Sequence, residues 1–363
     1  IHMAALRLNN SNFSKLGVSY GYTDNGTSYT WDDTIQSTAG DVEAAWQMKI
    51  KLDPSGDPGI VYQTTDSSTN VYTSYYVHSD DWTSSVQIDA IDEDDISDSL
   101  HGGYIDFDFL ANGEPSALAC TIEGTHTKLS PYVFNYSATG PSFTQESSPI
   151  EDYSETESCV YPKYIVETDL IRHASWTQDT GSGNAILYSK TTDGGTVWNG
   201  DGAPSIALSA NSDRIAGGEM VLDSSDSPII LSALNLGTQF SPNNTVHMAY
   251  VDGGWTTDIV ASGLTDAYLI RDEDLRDTLI SVDGYEYIAW QNKGGSNEVT
   301  QVANNESNSS TVDDVVTIGI TSVLSDTVLM EYDSNADKIV IHNIVAEAGN
   351  TEQQFYTATP GDD

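Results

Sequence analysis

Basic residues are scarce: 13 Lys plus Arg stand against 55 Asp plus Glu in 363 residues, a formal charge of −42. Phosphate backbones and anionic membranes require clustered Lys and Arg, so this balance argues against nucleic acid and anionic membrane surfaces as partners. Long apolar runs are missing too, and none approaches the roughly 18 residues of a membrane span. No stretch of two turns carries apolar residues at i, i+3, i+4 and i+7, which excludes an architecture of amphipathic helices. With only Cys120 and Cys159 there is no disulfide framework, and core burial must hold the fold. Two buried free thiols are the expectation, with a single bridge between neighbouring repeats as the alternative. G-x-G-x-x-G and P-loop motifs are absent, which removes dinucleotide and nucleotide chemistry. No Cys or His pair has zinc spacing and no D-x-D-x-D-G loop occurs, so neither a metal site nor a cofactor is expected. Asp92-Glu93-Asp94-Asp95 reads as solvated surface with nonspecific cation binding in high salt.

What the chain has in excess is acid spread along its whole length. Self-repulsion at −42 weakens a compact state in dilute buffer, whereas molar salt shortens the Debye length to about 3 Å and silences it. The pattern points to a protein made for hypersaline surroundings. Seven N-x-S/T sequons, beginning at Asn9, Asn12, Asn25, Asn135, Asn243, Asn305 and Asn308, lean towards an exported chain. Ile1-His2-Met3 reads as an expression scar, and no leader is visible.

Short alternating runs rich in Val, Ile, Tyr and Thr recur throughout, punctuated by Asp, Asn, Gly, Pro and Ser. Three turns repeat one plan: Asp53-Pro-Ser-Gly-Asp-Pro58, Asn112-Gly-Glu-Pro115 and Asp223-Ser-Ser-Asp-Ser-Pro228. Each follows an apolar strand and precedes another. A third, aromatic strand comes next, as in Tyr132-Val-Phe-Asn-Tyr136, and a more polar fourth closes a unit of about 50 residues. Four antiparallel strands per unit predict an all-β fold, a β-propeller, because one such sheet buries its faces only against neighbouring sheets. The units fall at about 4–43, 44–101, 102–160, 161–213, 214–263, 264–313 and 314–363 in one domain. Seven blades are preferred, and six with an N-terminal closing strand is the runner-up.

The run Thr191-Thr-Asp193-Gly-Gly195-Thr-Val-Trp198 resembles the Asp-box, or bacterial neuraminidase repeat, [S/T]-x-D-x-G-x-T-W, with Val197 in place of the usual Thr. The resemblance implies a sialidase-like propeller. It also implies a structural role for Thr191, Asp193, Gly195 and Trp198: carboxylate on turn amides, glycine in the tight backbone, indole beneath the hairpin. In that family the motif lies on the face remote from the active site. A sialidase-like site would further need converging arginines, an acid/base, and a Tyr nucleophile with a carboxylate partner. Arg172, Arg214 and Arg271, with Glu167 or Glu219 and Tyr332, trace that order loosely. The expected N-terminal Arg-Ile-Pro is replaced by Arg7-Leu-Asn.

Polysaccharide lysis is the other propeller chemistry to weigh: a His or Tyr acts as base on a uronate while Arg or Lys neutralises its carboxylate. His126, His173 and His247 are candidates by type. In Arg172-His173-Ala-Ser-Trp176 strand alternation sends adjacent side chains to opposite faces, and a packed histidine is the simpler reading. Aromatic content, 20 Tyr and 7 Trp, suits sugar rings and protein partners alike, with Trp176, Tyr62 and Tyr285 as expected contact residues. The sequence favours a recognition protein on a cell or virion surface, binding glycan or glycoprotein through one propeller face. The alternative is a sialidase-like glycosidase or a polysaccharide lyase acting on acidic glycans.

Overall fold

The computed structural model describes residues 2–8, 15–22, 30–32, 42–43, 48–66, 71–92, 105–122, 129–153, 158–179, 183–199, 203–210, 215–234, 244–251, 254–262, 278–282, 285–292, 298–306, 313–321, 325–333, 337–347 and 350–358. All its named elements are β-strands, as the alternating pattern predicts. The chain divides into two compact units, Ile1–Gly181 with Tyr188–Ser205, and Ser182–Leu187 with Ile206–Asp363.

Four-stranded antiparallel meanders recur along the chain. Met48–Leu52, Pro58–Asp66, Val71–His78 and Asp81–Asp92 pair in that order, and Val42–Glu43 joins His2–Leu8, Lys15–Tyr22 and Thr30–Asp32 to the same sheet. Ile105–Phe109, Pro115–Thr121, Ser130–Ser137 and Ser142–Gln145 make the next sheet; Ser158–Val166, Arg172–Asp179, Asn184–Thr191 and Ser205–Ala210 the one after. In the second unit, Ile215–Leu222, Pro228–Leu234, Asn244–Val251 and Gly254–Ser262 repeat the plan. So do Thr278–Val282, Tyr285–Asn292, Glu298–Glu306 and Asp313–Thr321, and Ser325–Asp333, Lys338–Glu347 and Asn350–Ala358 form a three-stranded sheet.

The repeated turn has one physical basis. Asp53 Oδ1 accepts hydrogen bonds from the amides of Ser55 and Asp57, both at 2.8 Å. Asp223 Oδ1 does the same for Ser225 and Ser227, at 2.7 and 2.9 Å. Asn112 Oδ1 accepts from the Glu114 amide at 3.0 Å. Each turn then needs one left-handed residue, and Gly56 (φ 89°), Gly113 (φ 83°) and Asp226 (φ 58°) supply it. Glycine takes this conformation without steric cost, and Asp is among the few other residues that tolerate it.

The sheets pack through aromatic side chains. Tyr76, Phe107, Phe109, Tyr132 and Phe134 are buried in one cluster between the sheets of Met48–Asp92 and Ile105–Gln145. The next junction is polar as well as apolar. Asp106 Oδ2 accepts the Tyr164 amide and Asp108 Oδ2 the Val166 amide, both at 2.9 Å, so two carboxylates of strand Ile105–Phe109 cap the edge of Ser158–Val166. Lys51 adds a bond from Nζ to the Tyr164 carbonyl at 3.0 Å.

A disulfide fastens the same junction. Cys120, on Pro115–Thr121, bonds Cys159, on Ser158–Val166, with Cα atoms 5.5 Å apart. This corrects the expectation of two free thiols in favour of its alternative, a bridge between neighbouring repeats: both residues are fully buried, but the packing of two neighbouring sheets brings them within bridging distance. A bridge between residues 39 apart removes loop entropy worth about 4 kcal/mol in the chain-entropy account. Thermal melting with and without reductant should therefore show a large drop in midpoint on reduction, reproduced by Cys120→Ala. Unchanged midpoints would mean that the bridge adds nothing to the packed junction.

Candidate active site

The turn Glu167–Ile171 joins strands Ser158–Val166 and Arg172–Asp179 and carries the first charged residues of the site. Thr168 Oγ1 accepts the Ile171 amide at 2.9 Å and closes the turn. The neighbouring hairpin Thr191–Trp198 reaches the same end of this sheet, where the Gly194 amide donates to the Leu170 carbonyl at 2.9 Å, so the motif lies beside this site and not on the face remote from it that the resemblance implies. Within the hairpin, Asp193 Oδ1 accepts from the Thr191 hydroxyl at 2.8 Å and from the Val197 amide at 3.0 Å. Those bonds, the Val197 amide foremost, hold the Asp193 carboxyl below the usual range. The Gly195 amide donates to Thr191 Oγ1 at 3.2 Å, Gly194 and Gly195 are left-handed (φ 85° and 103°), and Trp198 is buried.

Arg172 and His173 part to opposite faces of their strand. Arg172 is buried against the preceding sheet: Nη1 donates to Asn135 Oδ1 at 3.0 Å and to Ser116 Oγ and Tyr164 Oη at 3.3 Å. Nε and Nη2 both donate to the Asp169 carbonyl at 3.3 Å. Its fork is spent on protein acceptors, which makes it a clamp between sheets and leaves it poorly placed to grip a substrate carboxylate.

His173, with no exposure, lies between two partners. Nε2 is 2.9 Å from Glu167 Oε2 and Nδ1 is 2.7 Å from the Tyr188 hydroxyl. Desolvation acts to raise the Glu167 carboxyl, but the bond from His173 and the Lys190 ammonium 3.5 Å away outweigh it and hold the group below its ordinary range. An ionised Glu167 can only accept, so Nε2 carries hydrogen. In the neutral imidazole Nδ1 is then the acceptor and Tyr188 donates to it. Tyr188 and Lys190 are two apart on strand Asn184–Thr191 and share a face. Chemically, this is a tyrosine whose proton has a receiver, an imidazole whose tautomer is fixed by a carboxylate, and a half-exposed cation at the end of the row.

The other expected site residues are placed as follows. Arg214, Arg271 and His126 lie outside the described residues, and of His247 only the backbone, on Asn244–Val251, is described. Glu219 is half-buried on Ile215–Leu222, and Tyr332 on Ser325–Asp333 donates to Asp337 Oδ1 at 2.8 Å. Both belong to the second unit. Trp176 and Tyr62, expected as sugar contacts, are core residues with 1 % and 2 % exposure. The Trp176 indole donates to Tyr153 Oη at 2.9 Å, and Tyr62 stacks on Tyr75. Tyr285 is half-buried against the cluster of Tyr287, Met330 and Ile341. Tyr188 and Lys190 were not singled out from sequence; the only signal was their spacing of two on a strand that follows the one bearing His173. Among the described residues no group of metal-ligating side chains converges.

No family model matches the chain, and no curated protein matches it in sequence. Its fold is similar to those of solved structures. A polysaccharide lyase of family PL25, an ulvan lyase, aligns over 97 % of this chain and 91 % of that one with a TM-score of 0.59 and 10 % identity, and its form bound to -[GlcA(1-4)Rha3S]- gives the same values. The polysaccharide lyase Uly1 aligns over 98 % and 87 % with a TM-score of 0.57 and 10 % identity. A Penicillium chrysogenum α-L-arabinanase complexed with arabinobiose covers 88 % and 95 %, with a TM-score of 0.54 and 8 % identity. The likeness shows the fold class, an all-β propeller of four-stranded antiparallel blades.

Proposed function

We propose that the chain cleaves acidic polysaccharide, as a lyase that eliminates across a uronate. The observation that carries this reading is the row Tyr188–His173–Glu167 with Lys190 at its end. In the reaction, the Tyr188 proton moves to His173 Nδ1 and the C5 proton of the uronate passes to the tyrosine oxygen. The C4–O4 bond breaks with its electron pair on O4, a C4–C5 double bond forms, and the leaving oxygen recovers the proton from the imidazolium through the same tyrosine. Lys190 faces the uronate carboxylate, whose neutralisation acidifies C5–H. The scheme calls for no cofactor. The resemblance in fold to enzymes named for ulvan and arabinan supports glycan as the substrate class, and a glycoside hydrolase is the neighbouring outcome.

The test is incubation with a panel of uronate polysaccharides in molar KCl. Lyase action gives new ultraviolet absorbance of an unsaturated uronate together with new reducing ends. Reducing ends without absorbance mean a hydrolase, and neither product from any substrate sinks the catalytic reading. In that last case retention on a glycan array would favour the recognition protein, a reading supported by the exposed rings of Trp31 and Tyr22, 43 % and 41 % accessible. We read Thr191–Trp198 as an Asp-box serving the scaffold.

We also place the chain outside the cell in hypersaline surroundings. The Cys120–Cys159 bridge supports an oxidising compartment, and the −42 charge supports the salt. An anionic substrate approaches so acidic a chain only when the repulsion is screened. Melting midpoints measured from low to molar KCl should rise steadily; a flat or falling series would overturn the salt reading.

A further inference from the structure

A groove of about 780 Å³ runs along the first unit between the segment 146–152, which follows strand Ser142–Gln145, and the hairpin residues 195–198. That volume lies within the roughly 300–1,000 Å³ of small-molecule sites. It is separate from the Tyr188–His173 row, whose residues do not line it.

Pro149 and Ile150 from the segment and Val197 and Trp198 from the hairpin make up its apolar lining, and Glu146, Glu151 and Asp152 are its acidic members. Glu146 is fixed in place. Asn135 Nδ2 donates to its Oε1 at 2.9 Å, and Asn135 Oδ1 in turn accepts from the buried Arg172 at 3.0 Å. The hairpin is fitted against it: a Cβ on the left-handed Gly195 would stand 2.9 Å from Glu146 Oε1. Burial raises the Glu146 carboxyl, against the pull of Asn135 and Arg172 and with a further push from Asp193.

A sugar ring has an apolar C–H face and a rim of hydroxyl donors, and the groove offers the complement of each: a surface to stack on and carboxylates to accept. Three acidic side chains oppose a second anion at contact range, a repulsion that survives even where the Debye length is about 3 Å. An ammonium group gains from the same field. We propose that this groove is a binding subsite for amino-sugar units, distinct from the place where an acidic chain would be cut.

The experiment is titration of the whole chain in molar KCl with a glucosamine oligosaccharide and with a galacturonate oligosaccharide of equal length, followed by calorimetry and by indole fluorescence. The glucosamine probe should bind and perturb the fluorescence, and the galacturonate probe should not. Ser148→Trp and Thr196→Trp, each at an exposed lining position, should fill the groove and weaken binding at least ~tenfold, a difference of about 1.4 kcal/mol, with melting midpoints unchanged. Absence of glucosamine binding, equal binding of both probes, or full affinity in both tryptophan variants would each overturn the proposal. The cleavage assay is a separate readout, so loss of one reading leaves the other standing.

Discussion

Tyr188→Phe is expected to lower turnover of a uronate polysaccharide by roughly 10²–10⁴-fold, the usual contribution of a positioned acid or base. The substitution removes one oxygen and leaves the ring in its buried place between strands. The lost bond to the fully buried His173 Nδ1 costs about 1–3 kcal/mol, so the melting midpoint should fall by several degrees with the fold retained while the rate collapses. Two companions separate chemistry from scaffolding. Lys190→Ala, at the half-exposed end of the row, should raise KM and lower kcat, because both binding and C5–H acidity depend on that charge; Lys190→Arg should recover much of each. Glu167→Gln exchanges the acceptor facing Nε2 for an amide that can present either a donor or an acceptor. The fixed tautomer is then lost, and the pH profile should change shape. If Tyr188→Phe turns over within a factor of three of the parent, the row is a packing device and catalysis lies elsewhere.

The parts of this molecule that were legible in sequence are those whose physics is local. Asp53 and Asp223 sit two and four residues from the amides they cap, so their turns repeat wherever the short pattern repeats, and strand alternation around them pointed to the fold class. The site was legible only in part. His173 and Glu167 are six residues apart across one turn and were both candidates, but Tyr188 comes from the next strand. Arg172 finds its partners 37 and 56 residues away, on the preceding sheet. Nothing in its surroundings in sequence distinguishes a guanidinium that clamps two sheets from one that waits for substrate. Trp176 and Tyr62 failed as surface predictions for a related reason: an aromatic residue on a half-polar strand reads alike whether its face meets water or the next blade. The cysteine pair belongs to the same class, since bridging depended on which strands the packing set side by side.

Asp106→Ala should be among the most damaging single changes, costing about 2–5 kcal/mol, because alanine leaves two N–H groups without their acceptor in a region closed to water and each orphaned buried donor costs about 1–3 kcal/mol. The carboxylate is buried, with 3 % exposure, and serves both amides at once: Oδ1 accepts from Phe107 and Oδ2 from Tyr164, each at 2.9 Å. Asp106→Asn keeps one acceptor oxygen but turns an NH₂ towards the second amide, so its loss should be intermediate. Asp108→Ala should cost less than Asp106→Ala, because Asp108 is half-exposed and its partner Val166 lies one residue from the turn. Denaturant midpoints in molar KCl, lowest for Asp106→Ala and with Asp106→Asn between it and the parent, would establish the order. An Asp106→Ala midpoint equal to the parent's would show that the strand edge finds other partners. The physical point reaches back to the charge of −42. Part of that acid acts inside the fold: at the junction of two sheets, carboxylates accept from strand-edge amides that would otherwise be buried without a partner.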